Sequence, residues 1–171
     1  MLLPPLPTWD SLHPLVIHFP IALLMTAPLF VVLGLTIPRI GKWFHWSALL
    51  LMVLGTLGSW VAVATGEAAG ELAQRTPAIS EVLERHEELA ELTRTFFTLL
   101  TLGFAAFLIV PLARRKEFSC KVAMAVVLPF LLLYGGAMLS LVNTAHNGGL
   151  LVHEYGVHAM LPLEALPSES E

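Results

Sequence analysis

The stretch HPLVIHFPIALLMTAPLFVVLGLTI, residues 13–37, contains no Asp, Glu, Lys or Arg and is long enough to cross a lipid bilayer as a helix. Three more apolar stretches follow it, and the sequence predicts spans at residues 15–37, 44–64, 95–113 and 122–142. Hydrocarbon offers the backbone no hydrogen-bond partner, so each span is expected to be a helix. The predicted fold is therefore all-α, a polytopic membrane protein built as a four-transmembrane-helix bundle.

The composition of the chain agrees with this class. Of the 171 residues, 56% are hydrophobic and 13% are charged, whereas soluble domains are roughly a quarter charged. The length fits a single membrane domain, residues 1–162, followed by a short polar tail, residues 163–171. A lone cysteine, Cys120, excludes an internal disulfide. The N-terminus has no basic residue, so we expect no cleaved signal peptide and a retained first span.

The charged residues predict the orientation in the membrane. Six of the nine basic residues fall in the loops after spans one and three: Arg39, Lys42, Arg114, Arg115, Lys116 and Lys121. The opposite side receives both termini and the 65–94 connection, with twelve of the thirteen acidic residues. The positive-inside rule then places both termini on the outer, periplasmic side of a bacterial inner membrane.

The histidines are distributed just as unevenly. Six of the seven fall at the outer side: His13, His18, His86, His146, His153 and His158. We expect His13 in an extended entry segment at the rim, because Pro14 follows it. His18 is expected one turn inside, turned toward the bundle axis by a bend at Pro20. His45 lies on the inner side and is predicted to be an interfacial ring.

An extended outer helix is predicted before span three, at residues 77–93. Thr76 is a plausible N-cap and Pro77 suits the first helical position. Apolar residues recur along this segment at three- and four-residue spacing, and His86 lies within that stripe. We therefore expect His86 to face packed protein.

After span four, the run Asn147-Gly148-Gly149 predicts a turn. His146 would then end span four at the outer surface. A short C-terminal amphipathic segment carries His153 and His158 and is expected to fold back over the mouth of the bundle.

The pattern HP-x-x-x-HFPIAL in span one resembles the bacterial membrane family called domain of unknown function 2231. His86 before span three and His146 before Gly148-Gly149 add to the resemblance, which covers residues 8–160. It implies a four-helix membrane domain. Members of the family resemble partners of respiratory electron-transfer proteins, so the resemblance also suggests redox work.

Three classes of function fit these residues. The first is a b-type haem protein that transfers electrons, or a subunit of a respiratory or redox assembly, since histidine pairs hold low-spin haem. The candidate haem ligands are His13, His18, His86 and His146, and the candidate propionate partners are Arg75, Arg85 and Arg94. The chain contains no C-x-x-C-H motif, so the haem would be held non-covalently.

The second class is a copper or zinc site at the outer mouth, held by the same four histidines with His153 and His158 as further candidate ligands. The third is a structural or assembly subunit without a cofactor. His86-Glu87-Glu88 lacks the second histidine of an H-E-x-x-H motif. We therefore favour an electron-transfer subunit over a stand-alone enzyme.

The predicted partners follow from the two kinds of surface. The spans require a lipid bilayer. The outer side gathers Glu67, Glu71, Glu81, Glu84, Glu87, Glu88, Glu91 and Glu154. This acidic face is either ordinary solvated surface or a docking surface for a basic soluble cytochrome or another basic redox subunit. No basic patch lies outside the inner loops, so nucleic acid is not expected. An oligomer is compatible with the sequence.

Overall fold

The computed structural model describes residues 7–37, 39–115 and 120–157. A short 3-10 helix at Asp10–Leu12 precedes five α-helices: α1 (His13–Val16), α2 (His18–Thr36), α3 (Gly41–Glu71), α4 (Pro77–Arg114) and α5 (Cys120–His153). Within the described ranges, four helical segments are long and apolar enough to cross a membrane. The prediction of an all-α polytopic bundle is confirmed. The predicted domain boundary after residue 162 lies outside the described residues.

The helices extend beyond the predicted apolar spans at one end of the bundle. The extended outer helix is the first part of α4, which runs without a break into span three. Its predicted start is confirmed, because the Thr76 hydroxyl accepts a hydrogen bond from the Ile79 N–H and Pro77 is the first helical residue. Between α3 and α4 only residues 72–76 remain, so the two helices form a tight connection.

The predicted turn at Asn147-Gly148-Gly149 is wrong, since α5 continues through these residues to His153. The Asn147 side chain donates to the carbonyl of Asn143, one turn back along the same helix. Gly148 also packs directly beneath the ring of His86. Tertiary packing therefore overrides the local turn chemistry of an Asn-Gly pair.

Two antiparallel hairpins, α2–α3 and α4–α5, make up the bundle, and they meet mainly through α3 and α4. The first hairpin is closely packed because Gly55 leaves room for Leu24 and Gly58 leaves room for Pro20. A Cβ atom at Gly55 would lie 2.7 Å from Cγ of Leu24. Small residues at helix contacts are the usual device for close packing in membranes.

The core combines buried apolar and aromatic side chains with a few hydroxyl bonds between helices. The Phe97 and Tyr134 rings lie edge to face, with centroids 5.3 Å apart. The Tyr134 hydroxyl donates to the Leu24 carbonyl at 2.7 Å and so ties α5 to α2. Thr56 and Thr101 share a 2.8 Å hydrogen bond that ties α3 to α4. Such bonds stabilise helix association where water is absent.

The outside of the bundle is apolar. Large hydrophobic side chains are exposed along all four long helices, and Leu132 reaches 79% exposure. Soluble monomers rarely expose apolar surface on this scale, so this surface belongs against lipid. We call the end where α1 and α4 begin and α3 and α5 end the histidine end. The opposite end, which carries Arg39, Lys42, Arg114 and Arg115, we call the basic end.

The chain turns back after α5 as far as Val157. The fold-back of an amphipathic segment carrying His153 and His158 stays a prediction, because His153 is the last residue of α5 and His158 lies outside the described residues. Gly156 takes a positive φ of 59°, and the Val157 N–H donates to the Leu151 carbonyl. Val157 then packs against a small cluster that includes Ile79 and Leu83 of α4.

A paired histidine site between two helix hairpins

His13 is anchored to the second helix of its own hairpin. Its Nδ1 atom lies 2.9 Å from the Ala62 carbonyl oxygen of α3. The ring rests on Gly66, where an added Cβ atom would lie 2.9 Å from Cε1 of His13. The expectation of an extended rim position is wrong: His13 has helical angles, begins α1 and is half-buried, because its ring packs inward against α3.

His86 is anchored in the same way within the second hairpin. Its Nδ1 atom lies 2.9 Å from the Thr144 carbonyl oxygen of α5. The ring rests on Gly148, where an added Cβ atom would lie 3.0 Å from Cε1 of His86. His86 is half-buried, so the prediction that it faces packed protein is confirmed.

These contacts fix which nitrogen of each ring is free. A backbone carbonyl only accepts hydrogen bonds, so Nδ1 of both His13 and His86 must carry a proton and donate it. In a neutral imidazole the other nitrogen, Nε2, then carries the lone pair that binds a metal. The centroids of the two rings are 6.5 Å apart and their planes are nearly perpendicular, at 86°. Two rings, each with Nε2 left free by its carbonyl bond, therefore lie next to each other from opposite hairpins.

Hydroxyl groups lie beside both histidine anchors, and one of them bonds the carbonyl that holds His13. The Thr65 hydroxyl is 3.0 Å from the Ala62 carbonyl oxygen and 3.3 Å from Nδ1 of His13. On the other side, the Thr93 hydroxyl bonds to the hydroxyls of Ser140 at 2.7 Å and Thr144 at 3.1 Å. These residues lie on different helices, so they fix the spacing of the helices at the level of the site.

His18 does not join this pair. It is exposed, and its Nδ1 donates to the Pro14 carbonyl of its own helical segment at 2.8 Å. The expected rotation toward the bundle axis is wrong, because Ile17 keeps helical angles and α1 continues almost directly into α2. The helical period therefore sets His18 far around the helix from the inward-facing His13.

His146 and His153 are also exposed. Because α5 continues as a helix, His146 lies two positions from Gly148 and faces away from His86. The expected convergence of His146 on the other histidines is wrong. His158 lies outside the described residues. Among the residues that the structure describes, no group of three or more His, Cys, Asp or Glu side chains is placed to hold a metal ion.

The three candidate arginines have different surroundings. The Arg94 guanidinium lies 4.4 Å from the centroid of the Trp60 ring, and its Nε atom is buried with no hydrogen-bond partner among the described residues. Arg75 donates to the Gly70 carbonyl at 3.0 Å. Arg85 is exposed. Arg94 is thus the arginine whose guanidinium still offers a buried donor to an anion.

His45 is more enclosed than an interfacial ring. It is half-buried near the basic end, in a notch left by Gly34, with its ring edge to face with Phe104 at 6.1 Å. Its Nε2 atom is buried with no hydrogen-bond partner among the described residues. The prediction placed His45 at the correct end but missed this packing, for which Gly34 was the available signal.

Sequence reasoning also missed the residues of the returning helices that hold His13 and His86. Ala62 and Thr144 contribute their backbone carbonyls, which the residue type does not reveal. Gly66 contributes the space left by its missing side chain. Gly148 was interpreted as part of a turn, and Gly66 lay just beyond the predicted end of span two at residue 64. The available signal was a glycine facing each histidine across a hairpin.

Comparison with known proteins identifies the chain at the level of its family. No curated protein and no solved structure matches it significantly. A family profile described as "Predicted membrane protein (DUF2231)" matches residues 10–160, a range that contains both histidine anchors and all four spanning helices. The chain therefore belongs to the DUF2231 family of membrane proteins.

Proposed function

We propose that this chain is a b-type haem protein that transfers electrons in the membrane, alone or as a subunit of a redox assembly. In this proposal Nε2 of His13 and Nε2 of His86 would hold the haem iron. The supporting observation is the pair itself: two rings 6.5 Å apart, each with Nδ1 bonded to a backbone carbonyl of the adjacent helix. This pair is narrower than the set of four expected from the sequence, which also contained His18 and His146.

The spacing of the rings supports a shared metal centre. With metal–nitrogen distances of about 2.0 Å on both sides, two facing imidazoles have centroids roughly 6 Å apart. The observed 6.5 Å is close to this value. A haem already supplies four equatorial nitrogens, and a low-spin haem takes two axial ligands from the protein. The two histidines, one from each hairpin, equal the number of ligands that such a haem takes from the protein.

The surrounding groups suit this cofactor. Carbonyl acceptors at Nδ1 fix the orientation of a ligating histidine and raise its basicity. The buried Nε donor of Arg94 has no partner among the described residues and would pair with a carboxylate of the macrocycle. When bound, the iron would supply one-electron redox chemistry. The chain itself would hold and orient the ligands and exclude water from the centre.

An optical titration tests the proposal. Detergent-purified protein is titrated with haemin, and spectra are recorded before and after reduction by dithionite. We expect saturation at one haem per chain and a sharp α band in the reduced form. Binding of copper or zinc without haem binding would favour the metal-site alternative. Failure to bind haem, copper or zinc would leave a structural or assembly subunit as the function.

We further propose that the protein lies in a bacterial inner membrane with its histidine end on the periplasmic side. The basic end carries Arg39, Lys42, Arg114 and Arg115, which supports a cytoplasmic location for that end. Exposed Trp43 and Trp46 lie near the same end, as expected for an interfacial belt. Cys120, which opens α5 at the basic end, should resist an impermeant thiol reagent in intact cells and react after permeabilisation. Labelling of Cys120 without permeabilisation would contradict this orientation and place the basic end on the outer side.

The acidic face supports a basic redox partner. Glu84, Glu87, Glu88 and Glu91, all within five residues of His86 in sequence, line an open pocket of about 310 Å³ on α4. Acidic surfaces steer basic partners and speed their encounter, with a strong dependence on salt. Electron transfer needs only a small, brief contact.

Charge reversal tests this docking surface. Changing Glu81, Glu84 and Glu88 together to lysine should slow electron exchange with a basic cytochrome by about tenfold or more at low salt. Added salt should shrink the difference, because it screens the charges. Equal rates for variant and wild type at low salt would make the acidic face ordinary solvated surface.

A further inference from the structure

The two histidine anchors are built to the same plan. In each hairpin a histidine near the start of the first long segment donates to a carbonyl of the returning helix, Ala62 in one case and Thr144 in the other. The ring contacts a glycine one helical turn after each acceptor. This glycine is Gly66 after Ala62 and Gly148 after Thr144. Acceptor, glycine and ring therefore have the same relation in both hairpins.

The correspondence extends into the core of the first helix of each hairpin. Counted from His13 and from His86, buried residues occur at the same positions: Pro20 with Thr93, Leu24 with Phe97, and Val31 with Phe104. The residue types differ, so the match is one of burial and packing rather than of sequence identity.

The returning helices correspond as well. Counted back from Ala62 and from Thr144, buried residues again fall at equal distances: Met52 with Tyr134, Gly55 with Ala137, and Ser59 with Leu141. Both hairpins start at the histidine end, reach the basic end and return. Repeats that run in the same direction, related by an axis along the membrane normal, are a known arrangement in membrane proteins.

We propose that the hairpins are structural repeats and that Gly66 and Gly148 are equivalent positioning residues of one ligand site on the axis between them. Each glycine lets the Cε1–Nδ1 edge of its own hairpin's histidine come close to the returning helix, so that the carbonyl can hold Nδ1 and leave Nε2 free. The ligand class is a metal centre bound symmetrically by two imidazoles. The inference rests on the haem proposal only for the identity of that centre.

The available space makes the positioning role testable. An added Cβ atom would lie 2.9 Å from the ring at Gly66 and 3.0 Å from the ring at Gly148, closer than carbon atoms pack. The helix backbone is fixed by its own hydrogen bonds, so the ring must move. Alanine is a better helix former than glycine, so both variants should fold. Gly149 and Gly135 are matched controls, because nothing lies within 4 Å of a Cβ atom at either position.

The first measurement is haem affinity in the Gly66→Ala, Gly148→Ala, Gly149→Ala and Gly135→Ala variants. We expect the first two to bind haem at least about tenfold more weakly than wild type, a loss of roughly 1.4 kcal/mol. The two losses should agree within about threefold, since the two clearances are nearly the same. Affinity should be unchanged in the two control variants. A loss in only one of the two glycine variants would overturn the equivalence.

The second measurement needs no haem and so separates this inference from the proposed function. Long-range ¹H–¹⁵N spectra of haem-free protein labelled at histidine report the tautomer and hydrogen bonding of each ring. We expect His13 and His86 both as Nδ1–H tautomers in wild type. Gly66→Ala should shift the signals of His13 and Gly148→Ala those of His86, with neither control having this effect. Unshifted ring signals in either glycine variant would overturn the positioning role, even if haem binds.

Discussion

Replacing either His13 or His86 by alanine should make the protein lose its haem during purification, and with it the Soret absorbance. Each substitution removes one of the two histidines that would hold the haem, and the part of the chain that the structure describes has no third His, Cys, Asp or Glu placed beside the pair to hold a metal ion. His13 and His86 approach from opposite hairpins with centroids 6.5 Å apart, so loss of one leaves a single ligand. Loss of a residue that merely orients a ligand already costs about 10- to 100-fold in metal affinity, and loss of the ligand should cost more.

Three other histidines provide the controls for this prediction. His18→Ala and His146→Ala remove exposed rings that face away from the pair, and His45→Ala removes a ring near the basic end. All three variants should keep the Soret band at wild-type intensity. A full band in His13→Ala and His86→Ala would remove the pair as ligands, and a lost band in His18→Ala would restore the set of ligands first expected from the sequence.

Gly41→Ala should give the largest loss of stability of any glycine-to-alanine change in the bundle. A Cβ atom at Gly41 would overlap the backbone carbonyl oxygen of Gly34, and a backbone atom cannot move aside as a side chain can. Overpacking of this kind costs about 1–3 kcal/mol, which corresponds to a melting temperature lower by roughly 3–10 °C for a chain of this size. Thermal unfolding in detergent or nanodiscs, with intrinsic tryptophan fluorescence as the signal, measures the change.

Gly103→Ala is the matched control for that experiment. Gly103 is also helical, but nothing lies within 4 Å of a Cβ atom there. The gain in helix propensity, up to about 1 kcal/mol, should leave its melting temperature equal or slightly higher. Equal melting temperatures for Gly41→Ala and Gly103→Ala would mean that α2 and α3 do not approach each other as closely as the structure has them.

The architecture could be predicted from sequence because hydrocarbon restricts the choices. Long apolar runs must be helices, and their number sets the bundle. Thr76 and Pro77 marked the start of α4 because capping depends on local chemistry alone. The position of His86 on the packed face followed from helical periodicity.

The site was predicted only in part, because it depends on contacts between helices. Sequence spacing places six histidines at one end, but it does not say which of them face inward. His18 was misplaced because a proline was assumed to rotate the helix, and His146 because Asn147 and Gly148 were interpreted as a turn. The acceptor carbonyls of Ala62 and Thr144 belong to the backbone, and residue type carries no information about them.

The most direct test of the account is the low-temperature EPR spectrum of the ferric, haem-loaded protein. The account predicts a low-spin signal, because two imidazoles would complete the coordination of the iron. The near-perpendicular ring planes, at 86°, further predict the highly anisotropic form of that signal, since crossed imidazoles leave two iron d orbitals close in energy. A predominantly high-spin signal from stoichiometrically bound haem, or a low-spin signal that persists in His13→Ala or His86→Ala, would contradict the account.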